Sequence, residues 1–165
     1  MNTRKLAFCG ILAAAYAAVT VATSSFAYGP IQFRVAEALC VLCFFTPSAV
    51  WGLTLGCFFA NLASPLALDM IIGTAATLIG CLIASKCRKP WLVPVPVILA
   101  NAVLVGIELS WLFTPDLFWQ GLLINCLQVA IGEIAVLYLL GMPLLFALQK
   151  GRAGEWLQNL VRRPM

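Results

Sequence analysis

The sequence contains no histidine. That removes imidazole general-base chemistry and every His-containing metal site from consideration. No Gly-Lys pair closes a glycine-rich loop, so the chain has no phosphate-cradling Walker motif and cannot hydrolyse ATP by that route. Charge is scarce as well: charged residues make up 10% of the 165, against 63% hydrophobic. A soluble domain carries about 25% charged residues. A chain this apolar lacks the polar surface to cover a water-exposed globule, which excludes soluble enzymes, nucleic-acid binders and disordered tails. One compact all-α integral membrane domain over residues 1–165 is what remains.

The seven cysteines lie at 9, 40, 43, 57, 81, 87 and 126, scattered through apolar runs. Cys40-Val-Leu-Cys43 has the spacing of a redox or zinc pair, but no second half-site with metal spacing exists. Within packed helices cysteine acts as a small hydrophobe, and that is the reading taken here. No metal or other cofactor is expected.

A hydrocarbon core of about 30 Å takes about 20 helical residues. The segments 6–26, 66–85 and 91–113 fit that length, and 117–148 exceeds it but reads as one crossing that ends near Pro143. The stretch 31–63 is interrupted at Thr46-Pro47-Ser48, leaving arms that are marginal for a full crossing at about 1.5 Å rise per residue. Charge decides the count. Basic residues gather on the cytoplasmic side, and here they cluster at Arg4/Lys5, at Lys86/Arg88/Lys89 and at Lys150/Arg152/Arg162/Arg163. A single crossing over 31–63 would put the 86–89 loop outside. A hairpin of two short spans, 31–45 and 48–63, puts all three clusters inside. The sequence therefore predicts six transmembrane helices with both termini cytoplasmic, in a multi-pass protein of the plasma membrane.

Arg4-Lys5 ahead of an apolar run also resembles a signal peptide, with Ser25-Phe26-Ala27 as a cleavage site. Cleavage there would remove a span and upset the charge parity, so the first segment is expected to remain as a span. Residues 154–163 place Trp156, Leu157, Leu160 and Val161 on one helical face beside arginines. That suits either a helix on the inner interface or a frayed basic tail.

With this orientation the outer ends of the spans carry Glu37, Asp69, Glu108 and Asp116 against the single Arg34. Such a negative mouth favours a cationic ligand arriving from outside. Asp116 reads as a solvated loop acid. The others approach lipid depth, where ionisable groups are costly and point to function. Arg34 and Glu37 stand three apart and either pair for a ligand or neutralise each other at a helix start. Asn101 and Glu108 share one helix face, Asn125 and Gln128 another, and Glu133 lies near or below the bilayer middle. Asp69, Gly73, Thr77 and Gly80 form a narrow stripe in which the glycines suit close helix packing. Tyr28, Phe33, Trp111 and Trp119 fit an interfacial aromatic belt, although a planar ligand would use one or two of them. On the first span Gly10, Ala14, Ala18 and Ala22 repeat every four residues, with Ala13 and Ala17 alongside. This ladder admits another helix closely, either from the same protein or from a partner.

Across Gly29-Pro30-Ile31-Gln32-Phe33-Arg34-Val35-Ala36-Glu37-Ala38-Leu39 the chain resembles the queuosine-precursor transporter family (QueT-type), which supplies substrate-binding S components of energy-coupling factor transporters. The likeness continues through Phe45-Thr46-Pro47, Gly52, Gly56, Ala60-Asn61, Asp69 with Gly73 and Thr77, Asn101, Gly132-Glu133 and Gly141-Met142-Pro143. Cys43 departs from it, standing where the family has proline. The resemblance implies a bacterial six-helix protein that captures a 7-deazaguanine base outside the cell. It would then dock on a transmembrane coupling subunit driven by two ATP-binding-cassette ATPases, which fits the missing Walker motif. An Ala-x-x-x-Ala face on the first helix is the family's docking element, matched here by Ala14/Ala18 or the adjacent Ala13/Ala17.

Such a base offers a ring N–H and an exocyclic amine to a carboxylate, and an aminomethyl-type arm adds a cation that wants a second one. The candidate acids are Glu37, Asp69, Glu108 and Glu133. Gln32, Asn61, Asn101, Asn125 and Gln128 are polar partners, Arg34 is the neighbouring cation, and Phe33 or Trp111 is the stacking ring. The alternatives are a small facilitator working alone and a membrane-embedded enzyme, the latter lacking an evident nucleophile or metal set.

Overall fold

The computed structural model describes residues 3–27 and 33–162. Among these residues the protein is mainly helical, with no strand. Helix α1 (Thr3–Ala22) is followed by the single turn α2 (Ser24–Ala27) and by a ten-residue 3-10 helix, Val35–Phe44. Then come α3 (Ser48–Asn61), α4 (Asp69–Ala84), α5 (Pro94–Phe113) and α6 (Phe118–Val136). A π-helical turn, Leu137–Gly141, joins α6 to α7 (Met142–Lys150), and α8 (Arg152–Arg162) closes the chain. Three stretches are long and apolar enough to cross a membrane: Thr3–Ala22, Pro90–Phe113 and Pro115–Lys150. Val35–Phe44, Ser48–Asn61 and Asp69–Ala84 are shorter apolar helices.

The 3-10 form changes the length argument for the second segment. At about 2.0 Å rise per residue, ten residues cover about 20 Å instead of the about 15 Å of an α-helix. Thr46-Pro47-Ser48 then turns the chain back into α3, so the two arms form a hairpin. Its turn lies beside the N-terminal half of α1, where the Cys9 thiol donates to the Ser48 carbonyl at 3.1 Å.

Small residues set how closely the helices approach. A Cβ at Gly56 would stand 2.7 Å from the Tyr16 Cβ and 2.8 Å from the Ala13 carbonyl oxygen, so α3 lies directly on α1. The buried side of α1 is accordingly Cys9, Leu12, Ala13, Tyr16 and Thr20. Gly80 meets the Val97 backbone between α4 and α5, and Gly106 meets Cys126 between α5 and α6. The core runs from Leu12 and Tyr16 through the 3-10 helix and α3 to Val97, Leu137 and Leu145.

The long last span does not break at Pro143. Proline lacks the N–H of a regular helix, and its ring presses on the carbonyl one turn earlier. The π-helical turn absorbs this by widening the backbone just before Met142. The 154–163 segment forms helix over Arg152–Arg162, with Leu157 buried in the core and Trp156 edge-on to Phe8 at 6.2 Å between ring centroids.

Candidate functional site

The 3-10 helix repeats every three residues, so side chains at i and i+3 eclipse. Glu37, Cys40 and Cys43 therefore stand in one row, and Arg34 sits just ahead of it at the non-helical residue before Val35. On α4 the row facing it is Asp69, Gly73, Thr77 and Cys81, spaced by four. Three 3-10 residues and four α-helical residues both advance about 6 Å, so the two rows run side by side. Arg34 pairs with Asp69, Nη2 to Oδ1 at 3.5 Å. Thr77 donates to Glu37 Oε1 at 3.1 Å. Cys40 and Cys43 lie against Cys81. Among the described residues no group of Cys, Asp and Glu is arranged to hold a metal ion.

Glu37 is closely held. Besides Thr77, the Tyr16 hydroxyl donates to Oε1 at 2.5 Å and the Cys40 thiol donates to Oε2 at 2.9 Å. Asp69 accepts from Ser64 at Oδ2, while its backbone carbonyl accepts from Asn61 Nδ2 at 2.8 Å. Gly73 makes room for this arrangement. A Cβ there would come within 2.9 Å of Asn61 Nδ2 and 3.2 Å of Arg34 Nη1.

The remaining two acids complete the cluster from α5 and α6. Glu108 lies beside Asp69 and within the field of Arg34. Glu133 lies within the fields of Glu37, Arg34 and Cys81. All four candidate acids thus surround Arg34, the only basic side chain buried among the described residues. Asn101 and Glu108 are each 1% exposed. Both atoms of the Asn101 amide, both Glu108 carboxylate oxygens and Glu133 Oε2 are buried with no hydrogen-bond partner among the protein's own groups. Native proteins pair the large majority of buried polar atoms, so orphans on the neighbouring helices α5 and α6 call for a ligand or ordered water.

The other candidates are placed differently. Asn61 belongs to the Arg34–Asp69 side of the cluster through its bond to the Asp69 backbone. Asn125 is committed to the helix pair, donating to Ser110 Oγ at 3.0 Å, and Gln128 is half-buried one turn along α6. Trp111, 64% exposed, and Phe33, 37% exposed, are on the outside of the bundle end. Gln32 and Tyr28 lie outside the described residues. On α1, Ala13 is buried and Ala17 half-buried against α3, whereas Gly10, Ala14, Ala18 and Ala22 are exposed. A Cβ at Gly10 would meet nothing within 4 Å.

Sequence reasoning passed over Tyr16, Ser64 and the role of Gly73. A tyrosine in mid-span, away from any interfacial belt, was a usable signal for Tyr16. Gly73, four residues after Asp69, reads from the sequence as packing space, and it does admit a neighbour: the Arg34 side chain.

Comparison with known proteins adds a family and a relative. A family model described as "QueT transporter" matches residues 6–150. The chain is similar to the "Queuosine precursor transporter QueT" of Lactococcus lactis subsp. cremoris (strain MG1363), 36% identical over 80 residues. That match covers 47% of each chain, so the similarity spans about half the length of the relative. No solved structure matches.

Proposed function

The chain belongs to the QueT transporter family, a family of transporters and not of enzymes, and from that premise we propose that it is the substrate-capture subunit of an ATP-driven energy-coupling factor uptake system. It takes a queuosine precursor, a 7-deazaguanine base bearing a cationic arm, from outside the cell. It then delivers the base across the bacterial plasma membrane together with a coupling subunit and two ATP-binding-cassette ATPases.

One observation carries this reading: four carboxyl groups gather around a single buried arginine, and Asn101, Glu108 and Glu133 leave buried polar atoms unpaired there. Buried carboxylates of this kind need a partner. A base with N–H donors and an ammonium arm supplies both the hydrogen bonds and the missing positive charge. Docking on the coupling subunit uses the exposed Gly10–Ala14–Ala18 side of α1, where a second helix approaches without steric hindrance.

Mass spectrometry of the ligand that co-purifies with the intact protein tests the reading. A 7-deazaguanine base, unaltered, is the expected result, and a purified protein that retains and binds no such base overturns it. Reconstitution into vesicles separates the coupled subunit from a facilitator. Uptake should require the coupling subunit and ATPases, and uptake by this chain alone would identify a facilitator instead.

A further inference from the structure

The unpaired atoms are not spread evenly over the acid cluster, and their distribution divides the labour among the acids. Glu37 receives three donors from the protein and has no unpaired oxygen, while Asp69 accepts from Ser64 at Oδ2 and has Oδ1 3.5 Å from Arg34 Nη2 without a hydrogen bond. Glu108 and Asn101 receive none.

Helix register shows how the orphans stand relative to one another. Between the antiparallel helices α4 and α5, Gly80 meets Val97 and Asp69 meets Glu108, which sets Asn101 opposite Ala76. Between α5 and α6, Gly106 meets Cys126 and Ser110 meets Asn125. Continuing that register sets Asn101 alongside Glu133. Glu108 lies two turns away on the same face, about 10 Å along the axis. Val105, on α5 between the two polar levels, packs with Ala76, Leu109 and Val129.

We infer that Asn101 and Glu133 read the edge of the base while Glu108, beside Asp69, takes the cationic arm, with Glu37 acting only as a positioning residue for Arg34 and α4. This rests on the reading of the protein as a binder of 7-deazaguanine bases. The chemistry matches group by group. The 6-oxo and ring N–H of such a base face an amide as acceptor and donor, so the Asn101 Nδ2 donates to the oxo group and Oδ1 accepts from the ring N–H. The exocyclic amine, next along that edge, donates to Glu133 Oε2. The substituent at C7 projects on the oxo side of the ring system, away from Glu133. An ammonium there meets Glu108 and Asp69, two adjacent carboxyl groups that repel each other and share the one guanidinium of Arg34.

The test uses the full-length protein in detergent and titrates two bases of the same ring system, one with a 7-aminomethyl (cationic) arm and one with a 7-cyano (neutral) arm. Glu108→Gln should weaken the aminomethyl base at least about tenfold and the cyano base by less than about threefold. Glu133→Gln and Asn101→Asp, both isosteric, should weaken the two bases alike by at least about tenfold. A ligand-side arm needs no variant: an analogue without the 6-oxo group should bind the parent protein at least about tenfold less tightly. The assignment is overturned if Glu108→Gln weakens both bases alike, or if loss of the oxo group leaves affinity unchanged. A parent protein that binds neither base overturns the underlying reading, an outcome visible before any variant is compared.

Discussion

At the scale of the residue, the site depends on contacts that hold Arg34 and Glu37 in place. Gly73 is the tightest of them. A methyl group there would stand inside contact distance of both Asn61 and Arg34, so Gly73→Ala should push the guanidinium off Asp69. The expected cost is about 1–3 kcal/mol of stability, the usual range for overpacking, together with weaker ligand binding. Gly10→Ala, placed where nothing lies within 4 Å, should change neither, and thermal unfolding in detergent with and without ligand distinguishes the two variants. Tyr16→Phe removes one of three donors from the buried Glu37 carboxylate. It should lower stability by about 1–3 kcal/mol while leaving the preference between cationic and neutral bases unchanged. Altered preference with unchanged stability would place Glu37 in contact with the ligand.

At the scale of the element, three long spans and the two short arms of the hairpin were legible. The segment 66–85, read as full length, is the shorter helix Asp69–Ala84, and the 3-10 form of the second segment was not legible. Apolar runs of sufficient length identify α1, α5 and the α6–α7 stretch, because length and composition are all that a spanning helix demands. The second segment offers the same kind of apolar run, but hydrophobicity carries no information about rise per residue. Only the 3-10 geometry of Val35–Phe44 puts Glu37, Cys40 and Cys43 in one row, with Arg34 just ahead of it. The three-residue spacing of Arg34 and Glu37 left open a pair serving a ligand or a self-neutralised helix start, and the structure also sets the two side chains against different residues of α4. Asn101 and Glu108 were legible as one face of α5, because seven residues make two α-helical turns. Which side of α1 meets α3 could not be read from a ladder of small residues that continues on two adjacent faces. The structure separates the faces, and a prediction follows. Ala13→Leu, on the side packed against α3, should destabilise the fold and with it ligand binding. Leu at both Ala14 and Ala18, on the exposed side, should leave unfolding temperature and ligand binding as they are and abolish ATP-driven uptake. Loss of binding in that second, folded variant would argue against docking through the exposed face.

At the scale of the whole molecule, one end of the bundle collects most of the basic residues, and Asp69, Glu108 and Asp116 lie at the other. The contacts establish this without reference to a membrane. Phe8 near the start of α1 meets Trp156 of α8. Trp91, just after the 86–89 loop, packs on Phe146 at 5.3 Å and accepts at its carbonyl from the Tyr138 hydroxyl at 3.1 Å. Arg4, Lys5, Lys86, Arg88, Lys89, Lys150 and Arg152 therefore share one end, together with the Thr46 turn of the hairpin. Asp69 and Glu108 come from the opposite ends of α4 and α5, near the Thr114–Asp116 turn. Lys and Arg gather on the cytoplasmic side of a membrane, so the expected orientation puts the basic end inward and the Asp69–Glu108 end outward. Single cysteines placed at positions 88 and 116 of a cysteine-free variant test this with an impermeant thiol reagent on intact cells. Position 116 should be labelled directly, and position 88 only after the membrane is permeabilised. The reverse pattern would turn the bundle over, and it would leave the acid cluster facing a compartment from which no uptake could begin.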